Sequence, residues 1–161
     1  MDTNTASASG KVAQASKHDV DSLNSLLRGE LSAVETYNQA IEKFTGESQA
    51  SELRSIRKEH THAVETLQNR IRQYGGEAST GSGTWGTFAT TVTGAAKLLG
   101  PKTVLSALKQ GEEHGVNVYL EALGDTKVSE ECRYLIRSEL MPPCKSHIAA
   151  LDVLIAGFEK K

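Results

Sequence analysis

Between Leu23 and Phe44, in LNSLLRGELSAVETYNQAIEKF, apolar residues stand at positions 23, 27, 34, 37, 41 and 44. Glu30 fills the one gap in that row, so the spacing alternates between four and three throughout. This is the inward stripe of an amphipathic helix packed in a bundle. It restricts the chain to folds in which long helices share a core. A carboxylate in such a stripe must be hydrogen-bonded, paired, protonated or bound to a cation. The first functional question is therefore what Glu30 faces.

The rest of the 161 residues agrees with a helical reading. Hydrophobic residues make up 38% and aromatics 5%, and three Pro leave long stretches uninterrupted, which favours helices over a sheet. The length suits one domain with an adequate core. A net charge of -2 gives no pull toward nucleic acid or an anionic membrane. No apolar run reaches membrane-spanning length. Residues 1–17 are polar, lack the apolar centre of a secretory signal and read as a disordered leader, with the folded domain over 18–161. Cys132 and Cys144, on one helix, would lie about 18 Å apart, too far for a disulfide. A reduced, cytoplasmic location is the expectation.

Taken in order, helix A is expected from Asp19 to Phe44, capped by Asp19 or Asp21. Helix B follows a very short turn, with Ser48 as its cap, and runs to Tyr74 before Gly75 and Gly76. So short a turn makes an antiparallel hairpin. A Gly/Ser/Thr loop follows over 75–86, and residues 87–99 suit a short extra helix in a long crossover. Pro101 is a good first residue for helix C, which ends at Gly124. Helix D is expected from Ser129 to Phe158, with a kink or bulge at Pro142 and Pro143. The expected fold is all-α, an antiparallel four-helix bundle of two hairpins.

The two halves echo one another. ELSAVETYNQAI (30–41) aligns with EEHGVNVYLEAL (112–123). Glu112 thus repeats Glu30 in an apolar stripe, and Tyr119 repeats Tyr37 seven residues on. More loosely, EHTHAVETL (59–67) aligns with CKSHIAALDVL (144–154), each with a His three residues after its first position. A Glu-bearing helix followed by a His-bearing helix, twice over, is what a pseudo-twofold metal site in a bundle needs.

This pattern resembles the ferritin-like superfamily, which includes bacterioferritin and rubrerythrin. It is closest to a bacterial ferritin-like family of unknown function, with the Gly-Gly end of the first hairpin, a Trp in the crossover and Gly111, Glu112 and Tyr119 on helix C. The resemblance implies a carboxylate–histidine metal site built from Glu30, Glu59, His62, Glu112 and His147, with Tyr37 and Tyr119 as supporting donors. Iron is the implied metal, with manganese or zinc as alternatives. A homodimer through the first hairpin is also implied. Cys144 departs from the pattern, since it stands where the second Glu-x-x-His would carry its Glu, and a thiolate is a poor bridging oxygen donor.

Several alternatives stay open at this level. The apolar face of helix B (Leu53, Ile56, Ala63, Leu67, Tyr74) points His60 inward, whereas the resemblance selects His62. Cys144 reads as a small buried hydrophobe as readily as a ligand, and Glu139 as a displaced ligand or a surface residue. Glu30 and Glu112 can instead be satisfied by Tyr37 and Tyr119. The corresponding second function is a metal-free helical bundle acting as a stress-related structural or interaction module. An iron-storage cage is a weaker third.

Overall fold

The computed structural model describes residues 15–85 and 100–160. Regular structure among them is entirely helical. It comprises α1 (Lys17–Ile41), α2 (Glu47–Gln73), a 3-10 turn (Gly83–Trp85), α3 (Pro101–Gly124), α4 (Glu130–Leu135), a π turn (Ile136–Leu140) and α5 (Met141–Glu159). The expected crossover helix over 87–99 and the leader to residue 14 lie outside the described residues. None of the described helices is long and apolar enough to cross a membrane.

The boundaries follow from local chemistry, and three differ from expectation. α1 is capped by Ser16 rather than by Asp19 or Asp21. Ser16 Oγ accepts the Asp19 N–H at 3.1 Å and the Asp19 carboxylate accepts the Ser16 N–H at 3.2 Å, a reciprocal box that satisfies two otherwise orphan donors. Asp19 is buried and also accepts the N–H of Ser129 at 2.8 Å. Ser129 in turn caps α4, so one carboxylate ties two helix starts together. α1 stops at Ile41 rather than Phe44, although Phe44 still packs on the core. α2 begins after Gly46, with no side-chain cap from Ser48. Its end is the expected glycine pair. Gly75 takes φ +73°, its N–H bonds Arg72 O at 2.9 Å, and Gly76 N–H bonds Ile71 O at 2.9 Å. A Cβ on Gly76 would meet Val20 Cγ1 at 2.6 Å, so no larger residue fits without movement.

The final helical stretch widens where prolines were expected to disturb it. Pro142 and Pro143 carry no N–H, so the carbonyls of Ser138 and Glu139 lose their usual partners. The chain responds one turn earlier: Met141 N–H reaches back five residues to Ile136 O, the signature of a π turn.

α1 packs along α2 and α3 along α5, while α1 meets α3 and α2 meets α5 more sparingly. The buried apolar side chains form two separate clusters. One holds Leu23, Leu27, Leu67, Ile71 and Tyr119, the other Tyr37, Leu53, Ile56, Leu105 and Leu151. Each fully buried Leu or Ile contributes about 1.5–3 kcal/mol. Along α1 the first cluster comes first, along α2 second, along α3 second and along the last helices first. α1 and α5 therefore run one way and α2 and α3 the other. Between the clusters every long helix contributes a polar residue.

Candidate metal centre

The layer between the apolar clusters contains Glu30 from α1, His60 from α2, Glu112 from α3 and His147 from α5, all at most 5% exposed. His60 sits between the two carboxylates. Its Nδ1 is 2.7 Å from Glu30 Oε2 and its Nε2 is 2.9 Å from Glu112 Oε1. The second histidine meets the opposite edge of Glu112, with His147 Nδ1 3.3 Å from Oε2, and its Nε2 is 2.9 Å from Glu59 Oε2. The rings of His60 and His147 lie 4.8 Å apart.

Two tyrosines lock the carboxylates crosswise. Tyr37 on α1 donates its hydroxyl to Glu112 Oε1 on α3 at 2.6 Å, and Tyr119 on α3 donates to Glu30 Oε1 on α1. The seven-residue Glu-to-Tyr spacing puts each Tyr two helical turns along from the Glu of its own helix, on the same face. On antiparallel neighbours that offset brings each Tyr to the other helix's Glu. Among the described residues no buried side-chain nitrogen or oxygen lacks a hydrogen-bond partner.

Electrostatics follow from this packing. Burial alone would lower the His60 pKa, but the Glu30 and Glu112 carboxylates outweigh it and raise the imidazole to about 10. Without a metal, His60 is therefore an imidazolium donating to both acids. Burial would raise Glu112, but the His60 charge and the bonds from both histidines hold it at about 2. Burial and the neighbouring carboxylates push both tyrosine hydroxyls and the Cys144 thiol well up, so these stay protonated.

His60, Glu112 and His147 each offer one ligand atom, and the three atoms lie within 4.8 Å of one another. This cluster can hold a metal ion. Two imidazoles and one carboxylate are the donor set of mononuclear iron(II) and catalytic zinc sites. Each histidine also has its other nitrogen on a carboxylate, His60 on Glu30 and His147 on Glu59, the usual support of a metal-binding imidazole.

The structure sorts the residues singled out in the sequence. It brings Glu30, Glu112, His147, Tyr37, Tyr119 and His60 together. His62, which the resemblance selected, is exposed, and the apolar phase of α2 places His60 inside instead. Glu59, expected as a ligand, is half-exposed and is the partner of His147. Cys144 is a free buried thiol whose Sγ donates to Leu140 O at 3.7 Å. Glu139 is exposed. The Glu59–His147 pair joins residues 88 positions apart, and no local sequence signal marks it.

A cleft of about 640 Å³ opens between α2 and the π turn with α5, and His60, Cys144 and His147 border it. On the other side of the layer a small chamber of about 60 Å³ lies between α1 and α3 beside Trp85.

No curated protein and no solved structure matches the chain. A family model described as a domain of unknown function, DUF2383, matches residues 18–125, about two thirds of the chain. The match takes in Glu30, Glu59, His60 and Glu112 and ends before the helix that carries His147. The all-helical chain, with its buried His–Glu–His cluster, belongs to this family of unknown function.

Proposed function

We propose that the protein is a ferritin-like metal-binding bundle holding one divalent ion, iron(II) foremost with zinc or manganese as alternatives, between His60, Glu112 and His147. The observation that supports this is the orientation of the two imidazoles. Glu30 and Glu59 take one nitrogen of each ring, which leaves His60 Nε2 and His147 Nδ1 aimed at Glu112. Glu30 is a support for His60 in this reading, so the site is mononuclear rather than a symmetric two-metal centre. A bound ion would supply Lewis acidity, and iron would add redox capacity. Tyr37 and Tyr119 hold the two carboxylates in place.

Metal analysis of protein purified without a His-tag tests this, after reconstitution with iron(II), manganese and zinc in turn. About one ion per chain is expected. The stoichiometry should fall in His60→Asn and His147→Asn and persist in His62→Asn. A stoichiometry near zero for all three metals in the wild type would sink the reading.

A second reading has its own observation. Every buried polar atom of the layer is already satisfied, and a protonated His60 neutralises part of the carboxylate charge without any metal. On that basis the protein is a metal-free helical bundle with a structural or interaction role. Replacing both Glu30 and Glu112 by Gln should then leave stability equal or higher. A double variant that loses metal-dependent stability would count against it.

A further inference from the structure

We infer that the cleft between α2 and α5 is the uptake route for a hydrated divalent cation bound for the His60–Glu112–His147 cluster. This rests on the metal-binding reading above and specifies how the ion arrives. Three observations carry it.

The first is shape. α2 and α5 touch only sparingly, and the π turn at Ile136–Leu140 borders the gap between them. The cleft has about 640 Å³, whereas six waters around an ion need roughly 180 Å³ at roughly 30 Å³ each. A cation can therefore enter with its first hydration shell intact.

The second is charge. Glu59 and Glu139 border the opening against the ammonium of Lys58, Glu30 lies deeper and is paired with the His60 imidazolium, and His62 adds an exposed imidazole. Carboxylate and imidazole donors suit divalent transition metals, and the excess negative charge concentrates cations at the opening. The opposite chamber has about 60 Å³ and is bordered largely by apolar groups such as Leu26, Leu108, Val118 and Trp85. It also reaches His60 and Glu112, but it offers an entering ion about a tenth of the room of the cleft and little polar surface.

The third is continuity. Glu59 is half-exposed, yet its carboxylate bonds His147 Nε2 at 2.9 Å, while His147 is 3% exposed. One side chain thus connects the exposed opening to the buried imidazole. Glu139 faces the same opening from the π turn. An ion entering past Glu59 and Glu139 has only the depth of the cleft to cross before reaching His60 and His147.

Stopped-flow uptake of cobalt(II), followed by its visible ligand-field bands, tests this route. Two variants alter the cleft without touching the cluster: Glu139→Lys reverses a charge at the opening, and Thr66→Trp narrows it. Glu139→Lys should slow uptake at least about tenfold and reduce its dependence on salt. Thr66→Trp should slow uptake and chelator-driven release by the same factor, leaving the equilibrium affinity unchanged. Gly115→Ala, on the chamber side, has no atom within 4 Å of its new Cβ and should change neither rate. If the wild type binds cobalt tightly but neither cleft variant alters the rates, the route is wrong and the metal-binding reading stands. Slowing by Gly115→Ala alone would place the route on the other face. If the wild type takes up no ion, both inferences fall.

Discussion

Helices α1 and α3 contribute to the centre of the bundle in the same way, whereas α2 and α5 contribute differently. α1 and α3 each bring a Glu and, seven residues later, a Tyr that bonds the other helix's Glu. On α2, His60 is inserted between both carboxylates. On α5, His147 meets one edge of Glu112 and turns its other nitrogen outward to Glu59. Where the loose repeat puts Glu59 on α2, α5 has the buried, uncharged Cys144. The paired helices thus form a symmetric clamp, and the other pair forms an asymmetric face with one open side. A duplicated frame can keep its twofold hydrogen bonding while its reactive face diverges.

The comparison predicts unequal costs for the two acids. Among the described residues, Glu112 is approached by Tyr37, His60 and His147, and Glu30 by Tyr119 and His60. Glu112→Ala should destabilise the metal-free chain by about 3–5 kcal/mol, because it leaves buried donors and an imidazolium short of an acceptor. Glu30→Ala should cost less. Urea unfolding of both variants measures this, and a reversed order would break the proposed asymmetry.

The pH dependence comes next in size. The folded pKa of His60 is raised from 6.5 to about 10. Its stabilisation is therefore complete below pH 6.5 and is lost as pH climbs toward 10. Glu112 is lowered from 4.5 to about 2, so its stabilisation is complete above pH 4.5 and is lost as pH falls toward 2. The metal-free protein should be most stable between these limits. A saturating metal ion bound as proposed would take the place of the proton on His60 Nε2, so it should flatten the alkaline loss. Thermal midpoints across pH, with and without metal, show whether the alkaline limb exists and whether metal removes it.

The clamp predicts equality where the face predicts difference. Tyr37→Phe and Tyr119→Phe each remove one hydroxyl bond to a buried carboxylate, worth about 1.5–3 kcal/mol. The two losses should agree within about 0.5 kcal/mol. A clear inequality in denaturant midpoints would mean that the twofold frame is only approximate in energy. Smallest of all is His62→Asn, an exposed change expected to stay within about 0.5 kcal/mol of wild type. Calorimetry on this variant separates the periodic reading of α2 from the motif-based one.

How far the sequence could be read depended on whether the relevant physics was local. Glu30 and Glu112 were visible because a stripe of fixed period makes an intruding charge conspicuous. His60 was visible for the same reason: the spacing of Leu53, Ile56 and Leu67 puts it on the buried side of α2. The Glu-x-x-His pattern pulled toward His62, because a motif carries no information about helix phase. Pro142 and Pro143 announced a disturbance but not its form, since the choice between kink and π turn depends on what α3 and α2 press against the helix. The Glu59–His147 pair was invisible, as its members meet only after two hairpins have docked. The Ser16 cap was legible in Ser-x-x-Asp yet masked by the acidic residues just after it.

The bonds of α1 also bear on how the chain is made. Asp19 waits for Ser129, 110 residues later, Tyr37 for Glu112, 75 residues later, and Glu30 for both His60 and Tyr119, 30 and 89 residues later. A ribosome extends the chain from its N-terminus at about 5–20 residues per second. α1 therefore emerges before the other described helices, and its buried polar groups wait longest for their distant partners. Until the last third of the chain has been synthesised, the first hairpin holds a half-satisfied carboxylate in its middle. It can collapse early, but its interior stays hydrated and exchangeable, and tight closure comes only when the C-terminal helices arrive.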